Sequence, residues 1–166
     1  KWAIAQISLP DGGAGLARSI AQGTAVAVSD GSFKDHRGTA AFILEDGDHP
    51  LDASRATGVN TVPGSLEDHS SCRSEISGVS GIVSTVDCVC AAHGITEGSV
   101  ETGLDGDQAM KAISGDWLLK ADQADFDLLQ DLREKIDRSP LTWKWRWIQG
   151  HQDENASFSA LDRWRQ

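Results

Sequence analysis

The order of strand-like and helix-like segments constrains the fold of this chain more than any other feature. Short apolar runs between turns predict strands at residues 24–28, 38–45 and, more weakly, 53–59. Apolar residues at helical spacing predict a long helix from Ser71 to just before Gly94. A strand ending near Asp105, two helical segments, a strand at 141–149 and a last helix follow. Because hairpin-linked strands precede helix-connected ones, we expect an α/β domain with a mixed sheet.

The preceding segment, residues 1–23, contains "LPDGGAG" and is predicted to be an irregular lead-in with one short strand near residues 2–9. Residues 24–166 are then one domain, of a size that one hydrophobic core can stabilise. Neither a membrane-spanning run nor a signal peptide is recognised, so we expect no membrane association. The odd set of cysteines, Cys72, Cys88 and Cys90, favours a reducing compartment such as cytoplasm or nucleus.

Three acidic residues stand at positions where carboxylates could meet. Asp30 and Asp105 each follow an apolar strand and precede a glycine, and Glu75 is placed in the first turn of the long helix. If the two strands are parallel neighbours, both aspartates emerge at the carboxyl edge of the sheet, where ligand sites of α/β proteins lie. Three adjacent carboxylates repel one another unless a cation is present. The arrangement therefore predicts a site for Mg²⁺, which prefers oxygen ligands.

Each candidate residue also has an ordinary structural explanation. An Asp before Gly commonly forms a turn, and an acid at a helix start is favoured by the helix dipole. His151, which follows Gly150 after the last predicted strand, has an equally ordinary explanation as a loop residue. Only the conjunction of these residues favours a functional site.

Four segments carry a resemblance to a known family. "VSDGSF", "SCRSEISG", "GLDGDQAM" and "WIQGHQDE", in this order, resemble the type 1 branch of the ribonuclease H family over roughly residues 24–166. The forms "DGSFKDHRGTAAFILE" and "LDGDQAMKA" are similar to the ribonuclease H-like domains of eukaryotic retroelement reverse transcriptases. The resemblance implies a five-stranded mixed sheet in which the first three strands are antiparallel neighbours and the fourth and fifth strands run parallel to the first.

The resemblance also implies a function and a set of site residues. It implies hydrolysis of the RNA strand of RNA–DNA hybrids with two Mg²⁺ ions in the substrate complex, Mn²⁺ being a possible substitute. Asp30, Glu75 and Asp105 would bind metal, and His151 would assist proton transfer or product release. The expected partners are the hybrid and an adjacent reverse transcriptase domain, with the chain itself a monomer. A catalytically silent spacer or interaction module of such a polyprotein is the alternative.

The family's fourth acid is less well matched. Asp162 lies at a suitable distance from His151, but Phe158 stands where the family has Asn and "RWRQ" follows in place of a small apolar pair. Either Asp162 is the fourth metal ligand, or that ligand lies beyond Gln166.

A phosphatase of the haloacid dehalogenase type is excluded as an explanation of "DGS". Its nucleophilic Asp would lie two residues before Asp30, where this chain has Val28.

The net negative charge of the chain limits how tightly it could bind nucleic acid. The formal net charge is −10, opposite to that expected of a basic nucleic-acid-binding surface. The stretch in which some bacterial relatives carry a basic protrusion is rich in aspartate here. We therefore expect weak, salt-sensitive binding of hybrids by the isolated domain.

Three tryptophans alternate along the last predicted strand, at Trp143, Trp145 and Trp147. Aromatic side chains can stack on exposed bases, but alternation places all three on one face of the strand. We expect them to be core residues packed under helices.

Overall fold

The computed structural model describes residues 4–49, 53–115 and 118–150. The strands are β1 (Ile4–Ser8), β2 (Ala25–Lys34), β3 (Arg37–Asp46), β4 (Ala56–Thr61), β5 (Ser99–Leu104) and β6 (Thr142–Trp147). The helices are α1 (Ala14–Gln22), α2 (Ser71–His93), α3 (Asp107–Ser114) and α4 (Phe126–Arg138), and a short 3₁₀ segment, Pro10–Gly13, precedes α1. The elements form one mixed sheet with flanking helices, which confirms the predicted fold class.

The sheet has the strand order β1-β4-β3-β2-β5-β6. β1, β4, β3 and β2 are antiparallel neighbours, whereas β2, β5 and β6 run parallel. Within the described residues the sheet has six strands and not the predicted five, because β1 of the lead-in pairs with β4. β2 lies between β3 and β5, so its residues are supported from both sides over Ala25 to Val28, the length of its pairing with β5.

β2 is longer than the sequence predicted. The pattern predicted a turn from Asp30 onward, but β2 stays paired with β3 until Lys34 meets Arg37. The turn consists of Asp35 and His36 alone, with φ values of 50° and 61°. Positive φ at both positions is typical of a two-residue hairpin turn. β3 continues to pair with β2 after the last β2–β5 pair, so Asp30 lies within a strand and not after one.

The segment between β1 and β2 is helical and not irregular as predicted. α1 starts after Gly13 and is followed by Gly23, whose φ of 76° is the left-handed conformation that closes many helices. Leu16 and Ile20, four residues apart, are fully buried in the core beneath the sheet. The glycines at the start of the segment concealed this amphipathic pattern.

α2 is the central helix of the core. Ile76, Val79 and Val83 belong to one buried cluster, with α3 and α4, while Ile82 and Val86 belong to a second cluster with α1. Its length and composition would also suit a membrane-spanning helix, but 67% of its most apolar stretch is buried inside this globular domain. Burial within the domain explains the apolar character of α2.

The tryptophans of β6 are only partly in the core. Trp143 and Trp145 pack against the buried clusters, and their rings stack with centroids 5.9 Å apart. Trp147 is 50% exposed, so the prediction that it is a core residue is wrong. It stands at the end of an edge strand, and its indole Nε1 donates a hydrogen bond of 3.0 Å to the Asp105 carbonyl.

Candidate metal centre

Three acidic side chains meet at one edge of the sheet. Asp30 lies on β2 two residues beyond the last β2–β5 pair, Val28 with Gly103, and Asp105 directly follows β5. Glu75 is the fifth residue of α2, so it lies in the second turn and not the first as predicted. One carboxylate oxygen from each residue lies within 4.8 Å of the others. The topology thus brings together three acids that are 30 or more residues apart in the chain.

Glu75 is the buried member of this acid cluster. The residue is 7% exposed, and its Oε1 accepts a hydrogen bond of 3.1 Å from the Gly31 backbone N–H. Its Oε2 is buried and has no hydrogen-bond partner among the described residues. Burial, followed by the charges of Asp105 and Asp30, raises the pKa of Glu75 to about 7, against the lowering effect of the Gly31 hydrogen bond. Burial and the neighbouring charges make the ionised form of Glu75 unfavourable, so a cation bound beside its carboxylate would stabilise it.

Close packing of α2 on β2 sets the position of Glu75. A Cβ atom on Gly31 would lie 2.5 Å from the Glu75 backbone nitrogen and 2.7 Å from the Ser74 carbonyl carbon. A Cβ on Gly106 would lie 2.9 Å from the Glu75 Cγ. These glycines follow Asp30 and Asp105 in sequence, so each Asp-Gly pair supplies one carboxylate and the space for a neighbouring one. The sequence explained the two Asp-Gly pairs as turns and did not reveal this role of the glycines.

A buried arginine fixes the start of α2. The residue Arg73 is 3% exposed, and its Nε donates to the Pro63 carbonyl at 2.8 Å. Its guanidinium donates to both oxygens of Asp127, at 2.9 and 2.7 Å, and to Asp125 at 3.1 Å. Hydrogen bonds to Asp127 raise the pKa of Arg73, and the same contact lowers the pKa of Asp127. This arrangement, which sequence reasoning did not identify, ties the first turn of α2, directly before the turn of Glu75, to the start of α4.

The five residues predicted from sequence have two different outcomes. Asp30, Glu75 and Asp105 are brought together, and their roles stay predictions. His151 and Asp162 lie outside the described residues.

No protein-family model and no curated protein matches the chain. Solved structures do match. LC11-RNase H1, obtained from compost by a metagenomic approach and solved with an RNA/DNA hybrid, superposes with a TM-score of 0.58 at 9% identity, covering 78% of this chain and 88% of that chain. RNase H1 of the halophilic archaeon Halobacterium salinarum gives 0.55 at 16% identity, over 78% and 89% of the two chains. This chain has the ribonuclease H fold.

A third structure supports this assignment of the fold. The N-terminal RNase H domain of a Mycobacterium tuberculosis protein has a TM-score of 0.51 at 15% identity, covering 76% of this chain and 82% of that chain. Within this fold, the acid cluster lies at the carboxyl edge of the parallel strands β2 and β5. At these identities the likeness concerns the fold alone.

Proposed function

We propose that this chain is a metal-dependent endoribonuclease that hydrolyses the RNA strand of RNA–DNA hybrids. The observation that carries the proposal is the convergence of Asp30, Glu75 and Asp105 within 4.8 Å on a ribonuclease H fold. Carboxylates at this separation repel one another, and Glu75 is buried as well. Without a cation, such a cluster lowers the stability of the fold, and this supports a role in binding one.

The acid cluster fits a hard divalent ion. All of its donors are carboxylate oxygens, the ligands preferred by Mg²⁺, and the buried Oε2 of Glu75 has no partner within the described residues. We propose Mg²⁺, replaceable by Mn²⁺, with two ions in the substrate complex. Two ions bound there would supply an activated water and stabilise the leaving oxygen of a phosphodiester.

The chain's own residues hold this site in place. Asp30 is carried by the paired strand β2, and the Gly31 N–H orients Glu75. Trp147 holds the backbone of Asp105 through its carbonyl. We propose His151 for proton transfer or product release and Asp162 as the fourth acid, with an acid beyond Gln166 as the alternative to Asp162.

Hybrid cleavage is the direct test of this proposal. With Mg²⁺ or Mn²⁺, the protein is expected to cut the labelled RNA strand of an RNA–DNA hybrid, leaving 5′-phosphate and 3′-hydroxyl ends. Matched double-stranded DNA should stay intact, since it lacks the 2′-hydroxyls by which RNA is distinguished. Excess chelator should abolish cleavage. Cleavage that survives chelation would overturn the metal-dependent mechanism, and a folded protein inactive with both ions would favour the silent interaction or spacer module.

Metal binding is expected to stabilise the fold independently of activity. At about 100 times its dissociation constant, Mg²⁺ should add about 2.7 kcal/mol to the free energy of unfolding. For a chain of this size the thermal midpoint should rise by roughly 5–10 °C. Thermal unfolding with MgCl₂, and with NaCl of equal ionic strength as the control, measures this effect. Equal midpoints in the two salts would contradict a metal site.

The biological setting is proposed on the same basis. We propose that the chain acts as a monomer, in a reducing compartment, beside a reverse transcriptase domain of a retroelement. The segments "DGSFKDHRGTAAFILE" and "LDGDQAMKA" support this setting.

A further inference from the structure

Two positive charges face each other at the end of the β2–β3 hairpin. Lys34 and Arg37 are the last pair of the hairpin, on either side of the turn at Asp35 and His36. Both residues are exposed, and neither forms an ion pair with another residue of the described ranges. Like charges directly opposite on antiparallel strands destabilise the pairing. The arrangement therefore favours a bound anion between the two side chains.

This basic pair lies on the same face of the hairpin as Asp30. Side chains two residues apart on a strand share a face, so Asp30, Ser32 and Lys34 are in line. Ser32 pairs with Thr39, which places two hydroxyls between the acid and the basic pair. At about 3.3 Å per residue, Lys34 lies about 13 Å from Asp30 along the strand. One strand of double-stranded DNA rises about 3.4 Å per step, so this distance is on the order of a few phosphate steps of a duplex.

The hairpin is held in a fixed position below its tip. Ser74 Oγ, on α2, donates to the Ser32 carbonyl at 3.2 Å. The Gly38 N–H donates to His69 Nδ1 at 3.0 Å, and the Val62 N–H donates to the Gly38 carbonyl at 3.1 Å. Both strands are thus tied to their surroundings next to the basic pair, so the tip has a defined position relative to the acid cluster.

Cations of α3 and α4 are engaged internally. Lys111 pairs with Asp107 at 2.6 Å and Lys135 with Asp131 at 2.7 Å. Arg133 donates to the Ala112 carbonyl at 2.6 Å. Some bacterial relatives carry a basic protrusion in this part of the chain. Here its described cations are mostly engaged, so nucleic-acid binding needs another positively charged surface.

We propose that the Lys34–Arg37 pair binds backbone phosphates of the RNA–DNA hybrid while the acid cluster contacts the scissile phosphate. This inference rests on the proposed function and names the surface by which the substrate is held. The chain then compensates for its net charge of −10 with a local pair of cations on the β2–β3 hairpin, which also carries Asp30.

Salt-dependent binding tests the pair. In Lys34→Thr/Arg37→Thr, whose β-branched residues suit a strand, the dissociation constant for a labelled hybrid should rise on the order of tenfold or more at about 0.1 M salt. The slope of log affinity against log salt should fall by about two, one unit for each lost phosphate contact. The control, Lys111→Ala/Lys135→Ala, removes the same charge and should retain the wild-type slope. Cleavage by the hairpin variant should show a raised KM with kcat nearly unchanged.

The outcomes separate this inference from the proposed function. Equal affinity and equal salt dependence in wild type and the hairpin variant would overturn the inference. An equal loss of hybrid affinity in the control variant would overturn it as well. A wild-type protein that binds the hybrid without cleaving it would overturn the proposed function alone, and the slopes would still decide the role of the basic pair. Absence of any hybrid binding by wild type would overturn both.

Discussion

Replacing Asp30 with asparagine is expected to lower the rate of hybrid cleavage by about 10²- to 10³-fold. The substitution keeps the shape of the side chain and removes its negative charge, so a ligand of the bound cation is weakened while the strand is unchanged. Several kcal/mol of transition-state stabilisation depend on such an ion, and each 1.36 kcal/mol corresponds to a factor of ten in rate. Single-turnover cleavage with saturating enzyme measures this loss separately from substrate affinity.

Stability distinguishes loss of chemistry from loss of fold in Asp30→Asn. The charge of Asp30 contributes to the raised pKa of Glu75, so removing it relieves repulsion within the cluster. In chelator, the variant should therefore unfold at the wild-type temperature or slightly above it. With Mg²⁺, it should gain less stability than wild type. A variant that loses activity and is also markedly less stable in chelator would assign Asp30 a structural role.

Asp35→Asn is the matched control for this prediction. It makes the same change of carboxylate to amide on the same hairpin, at a residue with a φ of 50° that asparagine adopts readily. The control should cleave at close to the wild-type rate, and an equal loss in both variants would contradict a specific role for Asp30.

The convergence of the acids could be predicted from sequence because it depends on strand order. Asp30 and Asp105 are marked by apolar runs that precede them, and parallel strands bring their carboxyl ends to one edge. Glu75 was expected near the same edge because the sequence pattern placed it at the start of the long helix. Local patterns and topology were sufficient for these three residues, as they were for the mixed sheet.

What sequence reasoning missed depends on contacts between residues far apart in the chain. Gly31 bonds with a residue 44 positions away, and Arg73 bonds with partners 52 and 54 positions away. The extension of β2 past Asp30 likewise depends on pairing with β3, which the composition of "DGSFK" does not reveal. Each omission is a case in which a distant partner, and not local propensity, decides the structure.

The second large effect is expected from Arg73, through stability. Arg73→Met should lower the free energy of unfolding by about 3 kcal/mol, because it leaves the carboxylate of Asp125, whose side chain is 10% exposed, without its positive partner. Asp127 is 71% exposed and regains water, so its contribution is small. The thermal midpoint should fall by roughly 6–12 °C. Below that midpoint, cleavage should fall less than in Asp30→Asn, since Arg73 only fixes the start of the helix that carries Glu75.

Two further variants decide whether burial of the ion pair causes this loss. Arg138→Met removes the same kind of side chain from an exposed pair with Glu134, so it should cost at most about 0.5 kcal/mol. Adding Asp125→Asn to Arg73→Met should recover part of the lost stability, because no buried charge is then left uncompensated. Asparagine suits the φ of 62° at this position. Two results would contradict this role: equal losses of unfolding free energy for the two arginine variants, or no recovery in the double variant. Either result would show that the ion pairs of Arg73 do not anchor α2. Packing of the apolar face of the helix would then suffice to position Glu75.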